Sequence, residues 1–232
     1  MGKPVKKTTP DNVTVMFEEE QDTFPSPKIQ GFTPRSDGQK ALRRAIGMHD
    51  VCFGLGTFGT GKTFVPVAMG VEGVQRGFFE KVIFVRPAVE SGEKLGSLPG
   101  DGNDKIAPFM MPMLDCAVDF AGKKTVDRMQ NTRQILLRPI AHMRGSTLSD
   151  AMIVVDEAQN CTYGQLKMIY TRLGHGSKIV FVGDPDQSDI GQKSGLMEMV
   201  RRIGDVEGIA THRMGPEDIV RHPILSKTAH LI

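Results

Sequence analysis

Eight residues constrain the fold of this 232-residue chain most strongly: Gly56-Thr57-Phe58-Gly59-Thr60-Gly61-Lys62-Thr63. They follow the apolar run 51–55 and precede a stretch with helical spacing, which is the context in which the pattern G-x-x-x-x-G-K-T binds phosphate. The glycines allow the backbone to curl so that successive N–H groups point at a β-phosphate, and the next helix adds its positive dipole end. The alternative, a chance glycine-rich turn, does not account for this context. The sequence therefore predicts a nucleotide-binding loop.

The last two residues of this loop have specific predicted roles. Lys62 can bridge the β- and γ-phosphates of ATP, and the Thr63 hydroxyl can ligate Mg²⁺. ATP and Mg²⁺ are therefore the predicted ligands, with all eight loop residues in the binding set.

Two adjacent acids, Asp156 and Glu157, end the apolar run 152–155. In a parallel sheet the carboxyl ends of the strands line the ligand crevice, so both acids should face the phosphates. Asp156 would hold Mg²⁺ through a water molecule, and Glu157 would polarise the attacking water. An acid placed to activate water favours hydrolysis over transfer to an acceptor. The alternative is a strand that ends in solvated acids.

A third polar strand end contains Gln187, which follows the apolar run 179–182. A neutral amide both donates and accepts hydrogen bonds, so Gln187 can touch the γ-phosphate and the attacking water together. The alternative is a polar turn that caps the next helix.

Short apolar runs alternate with stretches of helical spacing, which predicts an α/β fold with a mostly parallel sheet covered by helices on both faces. The predicted strands are 51–55, 82–85, 152–155 and 179–182, with a further one at 208–211. A helix at 39–46 would be capped by Ser36 or Asp37. Residues 90–104 are rich in glycine and are predicted to form a long loop. Residues 1–30 are interpreted as a polar arm or tail, and 31–232 as one domain.

Composition limits the partners. The chain has 29 basic and 27 acidic residues, a net charge of +2, no Trp and two Tyr, so a nucleic acid would need a local basic groove with little base stacking. The three cysteines include no C-x-x-C pair, which argues against a zinc site or a disulfide framework. No apolar run approaches the roughly 20 residues that span a bilayer, and no secretory signal is visible. We therefore expect a cytoplasmic protein without a membrane partner.

Together these motifs resemble the PhoH-like family, whose members have a single RecA-like ATPase core related to superfamily 1 helicases. Besides the phosphate loop, the resemblance rests on residues 86–100, 142–148, 156–160, 166–174, 183–187 and 218–223. It implies an ATP-binding and ATP-hydrolysing protein that forms rings, with six members favoured, and that acts in connection with RNA. A compact chain of this kind is similar to the members carried by bacteriophages.

The resemblance also implies roles for single residues. Gln39 corresponds to the glutamine that reads adenine in helicases; the alternative is a solvent-facing helix residue. Two interpretations fit Arg86, Glu90 and Glu93: they form an ion-pair network, or they have a direct role at the site. They are not interpreted as catalytic residues. Phe58 departs from the family, which usually has a small residue in that position.

Three functions fit these residues. The first is a Mg²⁺-dependent ATPase, with helicase activity as one use of its turnover. The second is a nucleotide-gated switch with negligible turnover, and the third, a small-molecule kinase, is disfavoured by Glu157.

An arginine that stabilises the transferring phosphate would have to come from a neighbouring subunit, because one RecA-like core lacks the second helicase module. Arg172 and Arg221 are the candidates; for each the alternative is a surface salt bridge. A local groove for single-stranded RNA or DNA could contain Arg128, Arg133 and Arg138, or these could be a solvated helix face.

Overall fold

The computed structural model describes residues 31–87, 102–145, 147–229 and 231. The predicted arm at 1–30 lies outside this part of the chain, as do Glu90, Glu93 and most of the predicted loop at 90–104. Within the described residues no helix is long and apolar enough to cross a membrane.

The described residues form six strands and seven α-helices. The strands are β1 Val51–Gly56, β2 Lys81–Arg86, β3 Ile135–Pro139, β4 Ala151–Val155, β5 Lys178–Gly183 and β6 Ile209–Met214. The helices are α1 Asp37–Met48, α2 Phe64–Gln75, α3 Gly102–Ala121, α4 Lys123–Asn131, α5 Tyr163–Tyr170, α6 Leu196–Ile203 and α7 Pro223–Thr228.

The six strands make one sheet in the order β3-β2-β4-β5-β1-β6, and every neighbouring pair is parallel. Residues of β1, β2, β4 and β5 are buried on both faces, which is why these runs are apolar without alternation. One buried cluster lies under α1, α2, α3 and α4, and the other lies under α5 and α6. The predicted α/β class, with helices on both faces of the sheet, is confirmed.

Local sequence explains where the helices begin. The Ser36 hydroxyl accepts the Gln39 N–H at the start of α1, so Ser36 rather than Asp37 is the cap. Thr162 and Gln165 form a capping box at the start of α5. These caps satisfy N–H groups that have no partner within the helix.

The structure departs from the sequence predictions in two places. Strand β3 was not predicted, because Ile135–Pro139 is short, lies at the sheet edge and ends in a proline. The predicted loop at 90–104 extends too far, since α3 already begins at Gly102. At β3, pairing with β2 overrides weak local preference.

Phe181 tests the packing of the sheet. Its ring is fully buried on β5 and stacks on Phe53 of β1, with 5.3 Å between ring centroids. We expect Phe181→Ala to lower the free energy of unfolding by about 3–5 kcal/mol, because it leaves a cavity in the core. Urea denaturation measures this difference.

Phe78→Ala is the matched control, since Phe78 is 72% exposed in the turn after α2. It should change stability by less than about 0.5 kcal/mol. Equal effects of the two substitutions would contradict the packing described here.

Candidate nucleotide site

The predicted phosphate loop lies between β1, which ends at Gly56, and α2, which begins at Phe64. Gly59 and Gly61 have φ angles of 74° and 81°, a left-handed conformation that favours glycine. A Cβ atom on Gly61 would lie 2.5 Å from the Gln39 side-chain nitrogen. The loop is therefore a tight cradle that larger residues would fill, and not a chance turn.

Gln39 holds this loop from α1. Its Nε2 donates to the Thr60 carbonyl at 2.9 Å, and its Oε1 accepts the Arg35 N–H at 2.8 Å. The residue is 2% exposed, so the solvent-facing alternative is wrong. An amide retains one further N–H and one further lone pair, and the adenine contact stays a prediction.

Thr63 and Asp156 meet as the sequence predicts. The Thr63 hydroxyl donates to Asp156 Oδ1 at 2.8 Å, although the two residues are 93 positions apart. Asp156 is 4% exposed, which excludes a solvated strand end. Burial raises the pKa of Asp156, and the nearby Arg86 guanidinium opposes that shift.

This pair fits Mg²⁺. A hydroxyl and a carboxylate oxygen are hard ligands, and Mg²⁺ needs few protein ligands because it retains several waters. Among the described residues no group of three or more His, Cys, Asp or Glu side chains could hold a metal. The donors therefore suit magnesium bound together with phosphate rather than a metal held by the protein alone.

Glu157 is held in a fixed orientation. Its backbone is left-handed, with φ 51° and ψ 40°, which is uncommon for a residue other than glycine. One carboxylate oxygen accepts from Arg86 Nη2 at 2.9 Å, and the other accepts from Gln159 Nε2. Arg86 also donates to the Phe109 carbonyl at 2.9 Å. Arg86 thus forms an ion pair whose closest partner is Glu157, whereas Glu90 and Glu93 of the predicted network lie outside the described residues.

Gln159 is the residue whose role sequence reasoning missed. It is 1% exposed and touches both Glu157 and the end of β5: its Oε1 accepts the Asp184 N–H at 3.1 Å, and its Nε2 lies 3.4 Å from the Gln187 carbonyl. A buried amide with partners on two strand ends can couple their positions. The only signal in the sequence was its place two residues after Glu157.

Gln187 lies on the loop after β5, with an exposed side chain. Its N–H donates to the Asp184 carbonyl at 3.1 Å. The loop is joined to the segment after β4 by Asn160, whose side chain donates to Asp189 and accepts its N–H, both at 2.8 Å. Gly195 occupies the N-cap position of α6, so Gln187 does not cap that helix.

Lys62 lies near three acids. Burial lowers the pKa of its ammonium, while Asp184, Glu157 and Asp156 act in the opposite direction. Its Nζ donates to the Thr57 carbonyl at 3.2 Å. Lys62, Thr63, Asp156 and Glu157 thus converge at the carboxyl edge of the sheet.

The two candidate arginines lie at opposite ends of the strands. Arg172 follows α5, and its carbonyl accepts the Leu148 N–H at 2.8 Å just before β4. It therefore lies at the amino ends of the strands, and the length of β4, about 16 Å, separates it from the acids. Arg221 instead lies beside the phosphate loop of its own chain, since Val220 N–H donates to the Gly59 carbonyl at 3.0 Å. The prediction that Arg221 must act on a neighbour does not follow from this position.

The basic residues of the predicted groove lie around edge strand β3. Arg128 and Arg133 are exposed on α4 and in the turn before β3, and Arg138 is half-buried on the strand itself. They do not form one helix face, and their contact with nucleic acid stays a prediction.

Comparison with known proteins identifies the family. A family model described as "PhoH-like protein" matches residues 31–232. The chain belongs to the PhoH-like family. It is 39% identical over 227 residues to a PhoH-like protein of Bacillus subtilis (strain 168), covering 97% of this chain and 70% of that protein. It is 43% identical over 191 residues to a PhoH-like protein of Synechocystis sp., covering 82% and 58%. This PhoH-like chain thus spans part of the length of its relatives.

A solved structure supports the fold. The large terminase from a thermophilic bacteriophage matches with a TM-score of 0.52 at 14% identity, covering 85% of this chain and 50% of that one. At that identity the likeness concerns the fold alone. The PhoH-like chain has a RecA-like P-loop fold, as predicted.

Asp156 generates a prediction about stability. Burial raises the pKa of Asp156 in the folded protein above its unfolded value of about 4, so ionisation of this group opposes folding. The loss of folding free energy grows as the pH rises from the unfolded pKa to the folded pKa. In chelator at neutral pH, Asp156→Asn should be more stable than wild type, with the gain shrinking towards pH 4. Urea denaturation across this pH range measures the difference.

Asp37→Asn is the control, because the pKa of Asp37 is shifted in the opposite direction. Asp37 is exposed, and a hydrogen bond from Lys40 lowers its pKa. Asp37→Asn should not be more stable than wild type at neutral pH. A loss of stability for Asp156→Asn that is constant across pH would contradict the argument.

Gln159 generates a prediction about turnover. Gln159→Met keeps the length of the side chain but removes the contacts to Glu157 and Asp184, so it should slow phosphate release by about 10- to 100-fold through misplacement of Glu157. Nucleotide affinity, measured by fluorescence titration, should stay unchanged. Gln192→Met, at an exposed glutamine, is the control; a raised KM with unchanged kcat for Gln159→Met would contradict the role.

Proposed function

We propose that this chain is a Mg²⁺-dependent ATPase. The observation that carries the proposal is the convergence of Lys62, the Thr63–Asp156 pair and Glu157 on one edge of the sheet. Lys62 supplies a positive charge that can bind phosphate, and Thr63 and Asp156 supply a pair of metal ligands. Glu157 supplies a carboxylate that can activate water. The chemistry that unites them is in-line attack of water on the γ-phosphate, which yields ADP and phosphate.

The protein's own residues would act as follows. Loop N–H groups and Lys62 would hold the β- and γ-phosphates, and Thr63 and Asp156 would hold the metal. Glu157, oriented by Arg86 and Gln159, would take the proton of the attacking water. When bound, Mg²⁺ would neutralise negative charge that develops on the phosphates.

A specific observation favours the second candidate, a nucleotide-gated switch. Both oxygens of Glu157 already accept hydrogen bonds from the protein, one in an ion pair with Arg86. Because Arg86 and Gln159 hold the two oxygens, turnover would be slow until a partner loosens the ion pair and leaves Glu157 free to meet the attacking water. ATP binding would then persist, with phosphate release dependent on the partner.

Glu157→Gln separates these functions. If wild type is an ATPase, the variant should bind ATP and release phosphate at least about 100-fold more slowly, because it lacks the general base. Phosphate release and fluorescence titration measure the two steps. Lys62→Ala is the companion variant, which should lose most nucleotide affinity or turnover.

Wild-type turnover by Glu157→Gln would contradict the role of the acid. Negligible turnover by the wild-type protein alone, with ATP binding intact, would favour the switch.

We further propose assembly into a head-to-tail ring, with six subunits favoured by the family resemblance. The position of Arg172 supports this proposal: it lies at the amino ends of the strands and could serve a phosphate site only in another subunit. We also propose an RNA- or single-strand-linked role, for which the basic residues around β3 offer the contact surface.

Binding of nucleic acid should be weak, tolerant of sequence and sensitive to salt, because the contacts are mainly to phosphates and stacking residues are scarce. Fluorescence anisotropy with labelled single-stranded RNA and DNA, at two salt concentrations and with ATP, measures it. Arg133→Ala should weaken binding and Arg201→Ala, on α6, should not. Undetectable binding at low salt would remove the support for this role.

A further inference from the structure

Arg221 has a position that the phosphate loop itself defines. A Cβ atom on Gly59 would lie 3.3 Å from Arg221 Cδ, so the arginine stem packs directly over the loop. The neighbouring Val220 N–H donates to the Gly59 carbonyl at 3.0 Å. The two contacts place the start of the guanidinium side chain within the same chain's nucleotide site.

The fold explains why this segment returns to the loop. Strand β6 pairs in parallel with β1, in a register that sets Met214 opposite Gly56. The chain that leaves β6 therefore emerges beside the phosphate loop. The buried Asp218 then anchors it, because its carboxylate accepts the Gly38 N–H at 2.8 Å and the Gly215 N–H at 3.2 Å.

The charges around Arg221 suit an anion. Arg221 is exposed, and within the described part of the chain no carboxylate lies within 4.0 Å of its guanidinium. Arg221 and Lys62 therefore both lie at the phosphate loop, and a polyphosphate bound there would neutralise both charges.

We propose that Arg221 contacts the terminal phosphate of ATP bound to its own chain. This inference rests on the proposed nucleotide function and deepens it: the arginine acts in cis, and the site carries its own γ-phosphate contact. Arg172, at the opposite ends of the strands, remains the candidate for a contribution from a neighbouring subunit.

The first experiment measures binding without turnover. In the Glu157→Gln background, which prevents consumption of ATP, affinities for ATP and ADP are measured by competition with a fluorescent nucleotide. Adding Arg221→Ala should weaken ATP binding by about 10- to 100-fold, the value of one charged hydrogen-bonded contact, and leave ADP binding unchanged. Arg221→Lys should restore part of the preference for ATP.

Arg201→Ala, at an exposed arginine on α6, is the matched control and should alter neither affinity. A thermal melt confirms that each variant is folded. Equal weakening of ATP and ADP binding by Arg221→Ala, or none, would overturn the proposal. Failure of the Glu157→Gln protein to bind ATP at all would instead refute the nucleotide function.

The second experiment separates cis from trans. If the protein assembles, Glu157→Gln subunits are mixed with Arg221→Ala subunits carrying a second tag, and mixed assemblies are isolated through both tags. No rescue of phosphate release is expected, because each subunit still lacks one group of its own site. Rescue would show that Arg221 is donated by a neighbour. If the protein is a monomer, the ATP preference measured above already establishes the cis contact.

Discussion

The site depends on one constraint: β1, β5 and β4 lie side by side with their carboxyl ends at one edge of the sheet. β1 leads into the phosphate loop and β4 leads into Asp156 and Glu157. Between them β5 ends at Gly183, where a Cβ atom would lie 2.5 Å from Gln159 Oε1. Because that position has no side chain, Gln159 can reach from the end of β4 to the end of β5. The three strand ends therefore behave as one polar unit.

The same alignment places charged groups where water is scarce. Burial disfavours the ionised forms of both Lys62 and Asp156, so each of these charges opposes folding. Such groups persist where a ligand supplies the missing countercharges, which is typical of functional sites. The left-handed backbone of Glu157 is a second local cost at the same place. The residues that suit ligand binding at the carboxyl ends of the strands therefore lower the stability of the fold.

Much of this arrangement could be predicted because its signals are local. The glycine spacing of the loop, the apolar strands and the adjacent acids each occupy fewer than ten residues, and the structure brings them together as expected. Strand β3 was not predicted from its short run, and it forms as an edge strand by pairing with β2. The role of Gln159 was missed for a related reason: its partner Asp184 is 25 positions away, and no spacing rule links them.

The amino-acid sequence alone determined the α/β class, the phosphate loop and the residues that suit nucleotide chemistry, because backbone curl and strand burial follow from neighbouring residues. Only the tertiary structure decided which distant residues meet. Arg172 and Arg221 are both candidates in the sequence, yet the strand order places Arg172 at the amino ends of the strands and brings Arg221 back to Gly59. The physical reason is that strand order and register are set by packing of the whole sheet, which residue spacing along the chain does not encode.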